Sequence, residues 1–249
     1  MNGDRSIRIM VFSATASCAI ALAALGSSGD AGATCASISG VSSGTGCSST
    51  ATSFAIGVGP NTTASAIGFF NGAVAVGHSS TALIDSGNGN IALAVGNPGA
   101  NVAIGQNVPT TALVTSFGSA TQSNNNVAIA IGDGTVSEAG VGNNNVAFAL
   151  GNGTIANATG DNGTTPLITG NFSTAIAVGA FSQASASNGN FNTATVIGNH
   201  SIAFAGPATV FGTLPGDLDT AITFGNNSSA IATGVGTHVI AIGDNVHKP

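Results

Sequence analysis

The residues that could do chemistry in this chain are few and scattered. Gly40-Val41-Ser42-Ser43-Gly44 has the spacing of a nucleophile elbow, a motif that works only on a strand-turn-helix corner with a general base in reach of the serine. Here the motif lies in a Ser/Gly-rich loop between two cysteines, and chance explains such a match in this composition. We therefore expect no catalytic role for Ser42, and the chain is not expected to be an enzyme.

Metal ligands are equally dispersed. The histidines are His78, His200, His238 and His247. None pairs with another at the spacing of a metal site. Asp217 and Asp219 flank Leu218 in what the sequence predicts to be a turn, which leaves a weak calcium loop as an alternative, although the Gly-Gly-x-Gly-x-Asp repeats of calcium-binding β-rolls are absent. Asp133 and Glu138 are interpreted as solvated turn and edge residues. We expect no metal and no cofactor.

The N-terminus has the pattern of a secretory signal peptide. Arg5 and Arg8 precede an apolar run over 9–25, and the small residues that follow include the Ala-x-Ala site at 31–33. A basic start, an apolar middle and such a site are typical of a cleaved signal. We expect a signal helix over 1–33, cleaved after Ala33, and a secreted or cell-envelope protein with no membrane span after cleavage. An uncleaved anchor is the alternative.

Cys35 and Cys47 are the cysteines that remain after the predicted signal. In an exported chain, two cysteines so close in sequence predict one disulfide. Closing this short loop would stabilise the fold by about 2–3 kcal/mol. Residues 34–53 are accordingly predicted to form a Cys-bridged cap or linker that precedes the repeat domain over 54–249.

Charge is unusually sparse. Charged residues make up 5% of the chain, against about a quarter in an ordinary globular domain. Lys248 is the only basic side chain beyond the predicted signal. Such a surface cannot neutralise phosphates, which excludes nucleic-acid binding, and it offers no basic patch to a membrane. Disorder is disfavoured because the chain is rich in Ile, Val and Phe.

One short phrase recurs along the chain: a large apolar residue, Ala, another large apolar residue and Gly. Examples are Phe54-Ala55-Ile56-Gly57, Val102-Ala103-Ile104-Gly105, Ile176-Ala177-Val178-Gly179 and Ile240-Ala241-Ile242-Gly243. Large and small residues alternate within each phrase, and turn formers such as Asn-Gly bound it. This pattern has the period of a β-strand, and the frequent glycines disfavour a helix.

The repeat unit is clearest at Asn124-Asn125-Asn126-Val127, which restarts nineteen residues later as Asn143-Asn144-Asn145-Val146. We interpret one unit as a strand over 127–131, a turn at Asp133-Gly134 and a second strand near 135–139. Stacked units would place Asn on Asn and Val on Val. The sequence thus predicts an all-β parallel β-solenoid or β-roll of roughly ten two-strand rungs, with a bulging loop around 159–169.

The phenylalanines are expected in two environments. Those inside the phrases are predicted to form a core stack: Phe148, Phe204, Phe211 and Phe224. Those nearer the turns are predicted to be partly exposed: Phe69, Phe70, Phe172, Phe181 and Phe191. An exposed aromatic row could bind a partner, but no binding residue is assigned from the sequence.

Phrases such as Asn126-Val127-Ala128-Ile129 and Val239-Ile240-Ala241-Ile242-Gly243 resemble the head repeats of trimeric autotransporter adhesins (YadA-like heads) over about residues 54–246. That resemblance implies a parallel β-roll that forms homotrimers. The Asn/Gly/Ala-rich texture, with its signal and cysteine pair, is also similar to secreted repeat proteins of unknown function from mycobacteria and other actinobacteria.

Export, repeat architecture and the lack of a catalytic constellation together favour a structural or interaction protein, adhesin-like, that binds an unknown protein or glycan through its repeat surface. A carbohydrate- or ice-binding solenoid is the alternative, and an enzyme on a solenoid scaffold ranks below both. Ice binding would need a regular exposed threonine ladder, of which the sequence shows only fragments such as Thr193-Ala194-Thr195.

Overall fold

The computed structural model of the chain describes residues 34–96, 111–114, 124–140, 142–159, 170–187, 189–206 and 218–249, with backbone alone for Thr34, 111–114 and Thr159. The predicted signal over 1–33 lies outside the described residues, as do the phrase at 102–105, Phe211, Asp217 and nearly all of the predicted bulge around 159–169. Every regular element in the described ranges is a β-strand.

The strands fall into two sheets. The first three are β1 (Thr34–Ile38), β2 (Val41–Ser43) and β3 (Cys47–Ser49). Those that follow alternate between the sheets: β4 (Phe54–Val58), β5 (Thr63–Ala66), β6 (Gly72–Gly77), β7 (Thr81–Ile84), β8 (Ile91–Gly96), β9 (Thr111–Val114), β10 (Val127–Ile131), β11 (Val136–Gly140), β12 (Val146–Leu150), β13 (Ile155–Thr159), β14 (Thr174–Val178), β15 (Gln183–Ser187), β16 (Thr193–Ile197), β17 (Ile202–Ala205), β18 (Thr220–Phe224), β19 (Ser229–Ala232), β20 (His238–Ile242) and β21 (His247–Lys248).

The strand order is that of a flat two-sided solenoid. Sheet A has eleven strands in the order β2-β1-β4-β6-β8-β10-β12-β14-β16-β18-β20, and sheet B has ten in the order β21-β19-β17-β15-β13-β11-β9-β7-β5-β3. Each rung is one sheet A strand followed by one sheet B strand. The described residues form nine such rungs, from β4–β5 to β20–β21, and the predicted all-β parallel solenoid is confirmed.

The register between rungs is the predicted one. Val127 pairs with Val146 and Ala128 with Ala147 in parallel strands, and Asn124 forms a parallel bridge with Asn143. The long interval between Gly151 and Gly179 does not disturb this stacking, because β12 pairs directly with β14 and β13 with β15. The additional residues are therefore accommodated between β13 and β14.

The first rung is closed by an antiparallel hairpin. Strand β1 pairs antiparallel with both β2 and β4, whereas β3 already stacks parallel under β5. The predicted disulfide is present: Cys35 of β1 and Cys47 of β3 are joined with their Cα atoms 5.5 Å apart. It therefore links β1, the strand next to the edge of sheet A, to β3, the edge strand of sheet B, at this end of the solenoid.

The core is made of alanine, which corrects the prediction of a phenylalanine stack. The alanines of each phrase point between the sheets and are almost completely buried. Phe148 and Phe204 instead lie on the outer faces and are only partly buried, and Phe224 is 40% exposed. Alternation places the large side chains on one side of a strand and the small ones on the other, but it does not determine which side faces the opposite sheet. In this fold the small side chains face inwards.

Two hydroxyl side chains show how closely the sheets approach. Ser137, on the inner face of sheet B, donates from Oγ to the carbonyl of Ala147 in sheet A at 2.8 Å and accepts the N–H of Ile129 at 3.2 Å. Thr223 of sheet A donates to the carbonyl of Ile202 in sheet B at 2.9 Å. Short side chains can reach the backbone of the opposite sheet only because alanine keeps the two sheets close together.

Glycines stack where each sheet A strand ends. Gly132, Gly151 and Gly179 have φ values of 127°, 134° and 138°, a region that favours glycine. A Cβ on Gly179 would overlap the carbonyl of Gly198 in the next rung, and the same holds for Gly151 against Gly179. The closing glycine of the phrase is therefore required both by its backbone conformation and by the close approach of the next rung.

Substitution of Gly179 by Ala is expected to destabilise the fold more than substitution of Gly236 by Ala. Both glycines have positive φ, 138° and 68°, and an alanine would cost about 1–3 kcal/mol in backbone strain, with the larger cost at Gly179 because its φ lies outside the left-handed helical region. Nothing lies within 4 Å of the Cβ position at Gly236, whereas at Gly179 the overlap should add about 2 kcal/mol or more. Chemical denaturation of both variants measures the difference; equal losses would contradict the stacking argument.

Candidate functional site

The outer side of sheet A is an apolar surface. Its outward positions in each rung are occupied by large hydrophobic residues or threonine, with Gly72 and His238 as exceptions, and none is Asp, Glu, Lys or Arg. We call this surface the apolar face; its outward hydrophobic side chains are Phe54, Ile56, Val58, Val74, Val76, Ile91, Leu93, Val95, Val127, Ile129, Ile131, Val146, Phe148, Leu150, Ile176, Val178, Ile197, Ile222, Phe224, Ile240 and Ile242. The apolar face runs the whole length of the described solenoid.

Its dimensions follow from strand geometry. Nine rungs stacked about 4.8 Å apart and strands rising about 3.3 Å per residue give a face of roughly 40 by 16 Å, or about 600 Å² in projection. The largest apolar patch on a typical monomer is about 300–600 Å² and is often functional, and the apolar face lies at the upper end of that range. The apolar face is flat and continuous, so it suits another flat protein surface better than a small molecule.

The outer side of sheet B has a different character. Polar residues such as Thr63, Glu138, Asn157 and Gln183 alternate there with hydrophobic ones. A shallow depression of about 390 Å³ lies on this side, lined by Gln183, Ser185, Ile202, Ala203, Phe204, Ile231 and Thr233. Its lining combines one aromatic ring with an amide and two hydroxyl groups and includes no charged side chain.

Two columns of turns connect the sheets. The first corner follows each sheet A strand and usually has the form Gly-x-x-Ser/Thr, as in 179–182, with Val246 as the exception after β20. The second corner precedes each sheet A strand and usually ends in Asn, as in 143–145. At the first corner the buried hydroxyl donates to the closing glycine of the next rung. Ser182 donates to Gly198 at 2.5 Å, Ser201 to Gly225 at 2.8 Å and Ser228 to Gly243 at 2.6 Å. These bonds join successive rungs without any charged group.

The second corner is held by a buried asparagine ladder. Each Oδ1 accepts the backbone N–H of the residue at the same position in the next rung. The N–H of Asn90 donates to Asn71 at 2.8 Å, that of Asn126 to Asn90 at 2.9 Å and that of Asn145 to Asn126 at 2.8 Å. The amide Nδ2 donates to carbonyls; that of Asn145, for example, donates to Gly170 at 2.7 Å. The predicted Asn-on-Asn stacking is therefore a hydrogen-bonded column inside the fold.

The residue before this ladder position adopts a left-handed backbone conformation, and the rungs differ in what they place there. Asn125 and Asn144 have φ values of 55° and 60°, as is common for asparagine. Phe172, Phe191 and Leu218 occupy the same position in successive rungs with φ values of 58°, 61° and 63°. A bulky residue in this region costs about 1–2 kcal/mol, and strain of this kind clusters at functional sites.

These strained phenylalanines are exposed and stacked in pairs. Phe172 is 51% and Phe191 53% exposed, and their rings are nearly parallel with centroids 5.1 Å apart. At the first corner of the same two rungs, Phe181 stacks on His200 at 5.3 Å, and both again have positive φ. The predicted exposure of these phenylalanines is confirmed. Their shared position was missed, although aligning the repeats on the ladder asparagine would have placed Phe172 and Phe191 where Asn125 and Asn144 lie.

The residues considered for catalysis are not brought together. Ser42 lies on β2 in the antiparallel hairpin, and its hydroxyl donates to Ser37 Oγ at 2.9 Å. His78 and His200 are exposed at first-corner turns, and His238 is exposed at the start of β20. His247 lies on β21 and shares a hydrogen bond of 2.9 Å with Ser229. No histidine in the described ranges shares a hydrogen bond with Ser42.

Asp219 is not part of an open turn. It is fully buried at a ladder position, where its Oδ1 accepts the N–H of Thr237 at 2.8 Å and its own N–H donates to Asn192 at 3.1 Å. Asp133 lies in a first-corner turn, and Glu138 lies on the outer side of sheet B. Within the described part of the chain, no three His, Cys, Asp or Glu residues form a group that could hold a metal ion.

The described residues also contain no helix of the length and apolar character that a transmembrane span requires. Comparison of the chain with protein-family models, with curated protein sequences and with solved structures finds no match. The candidate site therefore rests on geometry: a continuous apolar face with a corner on either side of it.

Exchange of Asp and Asn within the buried ladder is expected to have opposite effects at two rungs. Asp219→Asn should stabilise the fold by about 1 kcal/mol, because an amide keeps the acceptor for Thr237 and avoids the burial of a carboxylate. Asn145→Asp should destabilise it by about 2–3 kcal/mol, because a carboxylate oxygen would then face the carbonyl of Gly170. Thermal and urea unfolding at neutral pH measure both variants, and a loss of stability in Asp219→Asn would contradict this account of the ladder.

Proposed function

We propose that this chain is a secreted or cell-envelope structural and interaction protein, adhesin-like, which self-associates through the apolar face and binds its partner with the remaining repeat surface. The observation that carries the proposal is the predominantly hydrophobic outer side of sheet A, which has large apolar residues such as Ile129, Ile176 and Ile240 in every rung and no Asp, Glu, Lys or Arg. A chain with so few charges cannot keep such a face in water without cover, and a second copy offers a surface of the same shape and chemistry.

The assembly we propose is a homotrimer, with the apolar faces of three copies turned towards a common axis. The resemblance of the phrases to trimeric adhesin heads supports this number. The alternation observed in the strands also supports it, since alanine inside each solenoid leaves the large side chains free to pack between copies. Sheet B and its corners would then form the outer surface, which is the part available to a protein or glycan partner.

Ile197 and Ile202 provide a matched test of the proposed assembly. They belong to one rung and are equally exposed, 46% each, but Ile197 lies on the apolar face and Ile202 on the outer side of sheet B. Ile197→Lys is expected to raise the dissociation constant of the assembly about tenfold or more, because it buries an unpaired charge. Ile202→Lys should leave it unchanged. Light scattering on a sizing column measures both; a monomeric parent chain, or equal effects, would contradict the proposal.

The depression on sheet B favours a second candidate, carbohydrate binding. Phe204, between the hydroxyl of Ser185 and the apolar Ile231, offers the combination of one apolar surface and a few polar groups that small-ligand sites use. Threonine columns favour ice binding less, since Thr174, Thr193 and Thr220 align in three rungs but their neighbours in the same strands are mostly aliphatic.

Phe204→Ala is expected to weaken binding to neutral oligosaccharides about tenfold if the depression is a sugar site. Ile155→Ala, on the same side of sheet B but outside the depression, is the control and should have no effect. Isothermal titration with neutral oligosaccharides of several compositions provides the measurement. No binding by the parent chain would remove this candidate and leave the proposed self-association untouched.

A further inference from the structure

The aromatic corners lie at the same level on both sides of the apolar face. Phe172 directly precedes the ladder residue before β14, and Phe181 follows the end of β14. Phe191 and His200 flank β16 of the next rung in the same way. Each corner therefore presents one stacked pair, Phe172–Phe191 at the second corner and Phe181–His200 at the first corner.

The apolar surface shifts towards the second corner in these rungs. Where the left-handed position holds Asn125 or Asn144, the first outward position of the following strand is Val127 or Val146. Where that position holds Phe or Leu, the first outward position is not a large hydrophobic residue: it is Gly72 after Phe70 and threonine in the other rungs, which pair Phe172 with Thr174, Phe191 with Thr193 and Leu218 with Thr220. In these rungs the hydrophobic side chain therefore lies at the border of the apolar face and not on the face itself.

Stacking within one chain explains why the paired rings are close, but it does not explain their exposure or their strained backbone. Phe172 and Phe191 leave about half of their surface open, in a conformation that asparagine adopts more easily. Contact with another molecule would account for both features.

We infer that the two aromatic corners meet between neighbouring copies, so that Phe172–Phe191 of one copy packs against Phe181–His200 of the next in a closed ring around the apolar faces. This inference rests on the proposed self-association. A ring built by rotation brings unlike edges of neighbouring copies together at the same height, and such a heterologous interface closes when the rotation closes. Aromatic pairs at matching rungs on opposite corners are what this arrangement requires, whereas two copies packed face to face do not require them.

Disulfide trapping tests the contact directly. Phe191→Cys and His200→Cys are introduced singly and together, in a Cys18→Ser chain so that Cys35 and Cys47, already joined, are the only native cysteines left. Within one copy the two new cysteines are separated by the width of β16, about 16 Å or more, which is too far for a disulfide. The double variant should therefore form covalent rings, visible as trimers on a non-reducing gel.

The single variants are the controls. A mixture of the two single variants should give a dimer, and neither alone should cross-link. Cross-linking of Phe191→Cys with itself would show that like edges meet and would overturn the inference. An assembled chain of trimeric mass without any cross-link would overturn the corner contact but leave the proposed function standing. A monomeric chain would overturn both.

A double variant, Phe172→Asn with Phe191→Asn, distinguishes two roles of the stacked rings: contact between copies and stabilisation of their own chain. Asparagine is what other rungs hold at this position, so the variant should weaken the assembly about tenfold without lowering the melting temperature of the dissociated chain. That temperature is measured in the Ile197→Lys background. A fall in melting temperature there, with unchanged assembly, would show that the stack stabilises only its own chain and would overturn the inference.

Discussion

The close approach of the two sheets through alanine is the constraint on which the rest of the structure depends. Inner positions such as Ala128 and Ala147 leave so little space that Ser137 hydrogen-bonds to the backbone of the opposite sheet. No room remains inside for Ile, Phe or Leu in most rungs, so these residues lie outside. A protein with an unusually hydrophobic sequence thus has a thin core of small side chains and carries its large side chains on its surface.

This arrangement changes what the hydrophobic residues can do. In an ordinary domain most large hydrophobic side chains are buried within the fold itself. Here Ile129, Ile176 and Ile240 remain available to a partner after the chain has folded. Burial of hydrophobic area is the dominant favourable contribution to most protein association, so the same side chains that would stabilise another fold are positioned here to stabilise an assembly.

Stability within one chain therefore depends heavily on hydrogen bonds between rungs. The asparagine ladder at one corner and the Ser/Thr-to-glycine bonds at the other satisfy backbone groups that would otherwise be buried without partners. Since each bond joins equivalent positions of adjacent rungs, the stack tolerates extra residues between strands, as at β13 and β14, but it does not tolerate a Cβ at Gly179. The hydrogen bonds at the corners therefore fix the register of the rungs, whereas the exposed residue at each corner differs from rung to rung.

Much of this fold could be predicted from the residues. The restart at Asn124 and Asn143 predicted the nineteen-residue rung and its parallel register, and Cys35 and Cys47 predicted the disulfide. Phe148, Phe204 and Phe224 were wrongly expected in the core, because alternation states which residues share a side and not which side is inside. The aromatic corners were also missed, since the Gly-Asn-Phe-x-Thr-Ala segment that Phe172 and Phe191 share does not by itself mark their backbone conformation or their neighbours in space.

The sequence by itself determined the class of the fold, because strand periodicity, turn residues and short-period repeats are local properties of the chain that do not depend on how the strands pack. It also supports the prediction that the chain does not bind nucleic acid, because Lys248 is the only basic residue beyond the predicted signal and one cation cannot form a phosphate-binding surface. Only the tertiary structure decided which side of each strand is buried and which corner residues align. Those properties depend on the distance between the sheets and on the register of residues far apart in the chain, and neither is encoded in any single segment.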